Sequence, residues 1–142
     1  MIRTLLTLAA GIGVGVAVTF AADHDHHKAV KVTQLSQRDI IEKLDGKETK
    51  VTVVEVTLNP GQGGEPHRHA GPVIGYVLEG EYEWAIDDNP AKVLKVGDTF
   101  YEPVGCLHRV SRNPAAKGKT RLLAWVIHPR DAKDLVIPEP KR

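Results

Sequence analysis

From Val30 to Pro129 the chain is broken into short runs rich in β-branched and aromatic residues, each closed by residues that turn the backbone. VKVTQL, TKVTVVEVTL, VIGYVL, EYEWAI, AKVLKV, DTFYEP, HRVSR and TRLLAWVIH are the runs; Asn59-Pro60-Gly61, Glu79-Gly80, Asp87-Asp88-Asn89-Pro90 and Val96-Gly97-Asp98 punctuate them. Such residues fit a pleated, half-buried surface, and glycine, proline and asparagine supply the turns. About eight strands at this spacing predict a closed or doubly layered antiparallel β-structure. The stretch Glu79 to Asp98 predicts a hairpin with Asp87-Asp88-Asn89-Pro90 at its tip. Only Ser36 to Leu44 has a helical pattern, with Ser36 as a cap and Ile40, Ile41 and Leu44 at helical spacing. It predicts one short helix or turn.

The 142 residues suffice for one domain with a real core. Residues 1–21 read as a signal peptide or N-terminal anchor: Arg3 precedes the uncharged apolar stretch Leu5 to Phe20, and Thr19 and Ala21 are small residues suited to a cut after Ala21. Export to the periplasm or beyond is expected, with membrane contact only if the segment stays uncleaved. Residues 22–29 form a His-rich linker carrying His24, His26 and His27, and residues 30–142 form the β-barrel domain. Cys106 is the single cysteine, so no intrachain disulfide can form despite export. Basic and acidic residues balance at 19 and 18, which excludes an electrostatic footprint for nucleic acid or anionic lipid. Small molecules and metal ions are the partners to expect.

The chemistry concentrates in three histidines. His67 and His69 lie two apart, so in a strand they share one face while Arg68 takes the other. His108 opens a later strand behind the Pro103-Val104-Gly105 turn. Three neutral imidazoles suit iron, manganese, zinc, copper or nickel and leave positions open for water, substrate or dioxygen.

These segments resemble the two motifs of the cupin family. Gly61, His67, His69 and Gly80 match the first, and Gly97, Pro103, Gly105 and His108 match the second. The resemblance implies an all-β antiparallel jelly-roll barrel, the double-stranded β-helix, with His67, His69 and His108 as metal ligands. Two positions depart from the pattern. The first motif's glutamate falls at Val73 or Ile74, and the second motif's asparagine comes one place late as Asn113, with Arg112 in its slot.

The missing carboxylate leaves two alternatives. Either three histidines form the whole site and Val73 is a dry wall, or Glu102 replaces the lost ligand. Alternation from Phe100 turns Glu102 inward, where it would be a fourth ligand, an acid/base or a partner orienting a histidine. Cys106 reads as a small buried residue, and Tyr76, Trp84, Phe100 and Trp125 as barrel lining. Alternation directs Arg112 toward His108 and Arg109 away, although both suit a solvated surface, as do Glu55 and Glu83. His128 before Pro129 is expected to be exposed.

The combined expectation is an exported metal-binding cupin, a metal-dependent oxidoreductase of dioxygenase type acting on a small organic molecule. Iron or manganese is favoured, with zinc, copper or nickel as alternatives, and Glu102 is the catalytic candidate. A non-catalytic metal- or ligand-binding module is the alternative function, and an edge strand would allow a homodimer.

Overall fold

The computed structural model describes residues 30–140. The signal segment and the His-rich linker therefore lie outside the described residues. Ten strands follow one another: β1 (Lys31–Leu44), β2 (Lys47–Leu58), β3 (His67–His69), β4 (Val73–Glu79), β5 (Glu81–Ile86), β6 (Lys92–Lys95), β7 (Thr99–Glu102), β8 (His108–Arg112), β9 (Thr120–Pro129) and β10 (Val136–Pro138). They form two five-stranded sheets, ordered β1-β2-β9-β4-β7 and β10-β3-β8-β5-β6, with every pairing antiparallel. This is the double-stranded β-helix that the turn spacing and the motif resemblance predict.

Alternation sets the core. Val73, Gly75 and Val77 of β4 are buried while Ile74 and Tyr76 face outward. In β9, Leu122, Ala124, Val126 and His128 are buried, and Trp125 sits on the other face beside its cross-strand partner Ile74. Tyr76 and Trp125 are thus outer-face residues, contrary to the expectation that they line the barrel; each is one residue out of phase with the buried set. Phe100 and Trp84 do pack on the core, their rings 5.9 Å apart. Gly75 makes this possible: a Cβ there would lie 1.9 Å from the Phe100 ring, so the phenyl group occupies the space above the glycine.

The segment Ser36 to Leu44 is strand, not helix. Ser36, Ile40 and Leu44 are the half-buried positions of β1, and a spacing of four is even, so a strand face fits it as well as a helix does. Pairing with the long β2 decides the outcome. Register shifts at Gln34/Ser36 and Ile40/Lys43 absorb the mismatch and leave Ile41 92% exposed. Asp45 and Gly46, with φ of 50° and 76°, close the hairpin with the two positive angles that a tight two-residue turn requires.

His128 is buried, again contrary to expectation. Its Nδ1–H donates to the Pro129 carbonyl at 2.9 Å, which leaves Nε2 to accept from the Thr52 hydroxyl at 2.9 Å. Thr52 in turn accepts from the Gln37 amide at 3.1 Å, so one chain of polar contacts ties β1, β2 and β9 together. Alternation from Leu122 would have placed His128 inward; the adjacent proline hides that phase. Thr52→Val keeps the shape and leaves a buried imidazole nitrogen unsatisfied. Urea unfolding should show a loss of about 1–3 kcal/mol, with Thr52→Ser retaining most of the stability.

Candidate metal centre

Short strand β3 carries His67 and His69 toward the barrel interior and Arg68 outward. Arg68 donates to Glu139 Oε2 at 3.1 Å and to the Gly105 carbonyl, fastening β3 to the C-terminal segment and to the turn before His108. His67 is the cross-strand partner of His108. The start of β8 is fixed independently, because Asp87 Oδ1 accepts from Leu107 N at 2.8 Å while Arg109 donates to the carbonyls of Asp87 and Asn89. The three histidines converge, each offering one ring nitrogen within 4.8 Å of the others.

Their tautomers follow from their partners. His67 Nδ1–H donates to the Glu65 carbonyl at 2.7 Å and His69 Nδ1–H to the Leu135 carbonyl at 3.1 Å, so both Nε2 atoms carry lone pairs. These lone pairs face each other across 3.2 Å. On His108, Nε2–H donates to the Tyr82 oxygen at 3.1 Å, since the Tyr82 hydroxyl donates to Ser111 Oγ at 2.9 Å. His108 Nδ1 is then a lone pair as well.

Glu102 joins them. It is 1% exposed, with Oε2 3.2 Å from His69 Nε2 and Oε1 3.2 Å from His108 Nδ1. The Trp84 indole N–H donates to Oε1 at 3.0 Å, but Glu102 Oε2 and His108 Nδ1 are buried without any hydrogen bond. Buried polar atoms in that state cost on the order of 1–3 kcal/mol each. Three histidine nitrogens converge, with the Glu102 carboxylate beside two of them, and a divalent cation is a group that the three nitrogens together suit. The side chains present fit a metal.

Electrostatics agrees. Burial pushes the His108 ring down from its ordinary 6.5 to about 4, with the Glu102 charge opposing and the neighbouring rings assisting. Burial also lowers His67, so both are neutral, the form a metal needs. For Glu102 burial alone would raise the pKa; a ring proton on the His69 side, the His108 charge and the Trp84 N–H outweigh it and hold the carboxyl below its ordinary 4.5, and where the rings are unprotonated a cation takes the place of that proton and charge.

Glu102 is also the cross-strand partner of Val73, one of the two positions at which the first motif's glutamate is missing. Cross-strand partners point to the same face. The carboxylate thus reaches the same interior from β7 instead of β4.

Other expectations divide. Cys106 is a buried free thiol; burial first, then the Glu102 and Asp87 charges, push it up to about 11, so it is inert. Glu55 pairs with Arg121, and Glu83 with Arg112 at the surface. Arg112 does not face His108: a register shift between Ala85 and Ile86 inverts the phase of β8, so Ser111 lines the interior instead. Asn113 is buried but serves the loop, donating to the Gly118 carbonyl at 2.9 Å and accepting from Ala115 N at 3.0 Å.

Sequence reasoning missed three contributors. Tyr82 is visible only as an alternation partner of Trp84, Ser111 is masked by the bulge, and β10 lies in DLVIPEP, where prolines obscure the strand pattern. Yet β10 pairs with β3, and its neighbour Leu135 fixes the His69 tautomer.

The lowered His108 pKa makes the metal-free protein acid-sensitive. Between pH 6.5 and about 4 the unfolded chain binds a proton that the folded chain excludes, so stability falls as pH drops through that window. Glu102 continues the trend below its ordinary 4.5, its stabilisation being lost as pH falls through its lowered folded value. Thermal unfolding of metal-free protein should show a loss on the order of 3 kcal/mol across the histidine window, with a shallower slope in His108→Gln.

A model of the Cupin domain matches residues 54–126. None of the curated proteins compared with the chain matches it significantly in sequence. Solved structures share its fold at low identity. An uncharacterised protein with a double-stranded β-helix domain from Klebsiella pneumoniae has 18% identity and a TM-score of 0.58, over 78% of this chain and 85% of that one. The DMSP lyase DddQ from Ruegeria pomeroyi has 20% identity and a TM-score of 0.59, over 83% of this chain and 57% of the lyase. An oxalate oxidase has 22% identity and a TM-score of 0.57, over 77% of this chain and 54% of the oxidase. The chain thus spans little more than half the length of either enzyme. The match across half of the sequence, onto two antiparallel sheets with the motif histidines gathered inside, makes this chain a member of the cupin family.

Proposed function

We propose that the protein is an exported, metal-dependent oxidoreductase of dioxygenase type that acts on a small organic molecule. The observation that carries this reading is the convergence of His67, His69 and His108, with Glu102 beside two of them, at one end of an interior cavity of about 370 Å³. His67 and His69 would hold the ion through Nε2 and His108 through Nδ1. Glu102, kept ionised by its neighbours, would act as an anionic donor to the ion rather than as an acid. Iron or manganese held there would supply Lewis acidity and one-electron redox chemistry toward substrate and dioxygen.

The remaining groups position and exclude. Tyr82, buried and donating to Ser111, holds the His108 ring in one tautomer. Trp84 fixes the carboxylate plane through Oε1. Val73 and Val126 form dry wall beside the ligands, so water does not compete with the substrate. Proteins of the same fold include a DMSP lyase and an oxalate oxidase, each named for action on a small molecule.

Metal analysis of purified protein should find one ion per chain, reduced to background in His67→Ala and His108→Ala. Iron-loaded protein should consume oxygen with at least one member of a panel of thiols, diketones and phenols; no uptake with any of them rejects the oxidoreductase reading in favour of a binding module. Glu102→Gln should weaken metal binding about 10–100-fold. Exchanging the pair, Val73→Glu with Glu102→Val, should recover much of that loss if a carboxylate on either strand can serve.

Export has its own check. N-terminal sequencing of protein recovered from the periplasm or medium should begin at Ala22, and recovery of intact Met1 in the membrane fraction would indicate an anchor.

A further inference from the structure

The cavity is polar at one end only. Its side walls are Val54 and Val56 from β2, Leu122, Ala124 and Val126 from β9, and Phe100 from β7. The mouth continues the same chemistry: Val32 and Val136, 58% and 48% exposed, stand on it with Leu135 and Pro138. Hydrogen-bonding side chains cluster at the histidine end, where Tyr82 and Ser111 are already bonded to each other. Among the described residues no lysine or arginine lines the cavity, and Glu65 is the one charged lining residue besides Glu102 and the histidines.

Charge balance then restricts what can enter. Three neutral imidazoles and one carboxylate around a divalent ion leave a single positive charge, which one anionic head neutralises. A second anionic group too far from the head to share the ion would lie against valine and leucine with no cation to meet it, and burying an unpaired charge costs several kcal/mol. Apolar walls, conversely, reward an apolar body at roughly 25 cal/mol per Å² removed from water.

Resting on the metal reading above, we infer that the cavity takes a compact apolar molecule with one singly charged, metal-directed oxygen or sulfur head, such as an enolate, phenolate, thiolate or monocarboxylate, and rejects ligands that carry a second carboxylate at the far end of the apolar body. The volume of about 370 Å³ lies at the small end of the range for ligand pockets.

Two binding measurements, neither requiring turnover, test this. Metal-free protein should bind the neutral dye N-phenyl-1-naphthylamine with a rise in fluorescence. Manganese-loaded protein, titrated calorimetrically, should bind hexanoate at least about tenfold more tightly than adipate, which has the same head and chain with a distal carboxylate, and hexanoate should displace the dye. Val32→Arg, at an exposed rim position that can accept a charge without disturbing the core, should narrow that preference by improving adipate binding. Adipate bound as tightly as hexanoate by the wild type, or no dye binding by the metal-free protein, overturns the inference while leaving the metal centre intact. Failure to load manganese, with dye still bound, instead overturns the functional reading and confines the inference to the apolar wall.

Discussion

Two imidazole nitrogens 3.2 Å apart, each on a ring whose other nitrogen already donates to a main-chain carbonyl, cannot hydrogen bond to one another. That conflict of lone pairs is the constraint on which the rest of the barrel depends. A fold under no functional demand would turn one ring around or exchange it for an aliphatic side chain. Here the conflict is enforced from outside the site. The Glu65 and Leu135 carbonyls hold the tautomers, Arg68 fastens the strand that bears both rings, and β10 closes over its edge. Stability is given up locally so that acceptors stand ready for a cation, as strained polar arrangements at functional sites generally do.

A sheet can deliver a carboxylate to the same interior from either of two neighbouring strands. Val73 and Glu102 are partners across β4 and β7 and point to the same face, so moving a group between them changes the strand that supplies it and not the interior that receives it. Trp84 then makes the new position specific, because its N–H occupies one carboxylate oxygen and leaves the other toward His69. Burial keeps the His108 ring unprotonated despite the nearby carboxylate, and the Trp84 N–H helps to keep that carboxylate ionised.

Legibility in the sequence tracked the range of the interactions involved. His67, His69 and Glu102 were readable because period-2 alternation is local, and His108 because a proline-glycine turn marks its strand. Where local pattern was ambiguous, distant partners decided. Ile40 and Leu44 suit helix and strand equally, and twelve residues of β2 settled the matter, although Asp45-Gly46 was itself a hairpin signal. Bulges broke the inference for Arg112 by shifting phase in a way no single strand reveals. His128 and Tyr82 were hidden differently: each is a polar group buried by satisfying a neighbour far away in sequence, Thr52 and Ser111 respectively.

Gly75 and Phe100 carry a consequence for how such a cavity could diversify. Because the phenyl ring fills the volume that a side chain at 75 would occupy, the two positions are steric complements across one strand pair. A larger residue at 75 with a smaller one at 100 would keep the core filled while recontouring the chamber next to Glu102. Substrate size is thereby separable from metal chemistry: the wall can be reshaped by a coupled pair of positions that belongs to neither the ligand set nor the hydrogen bonds that orient it.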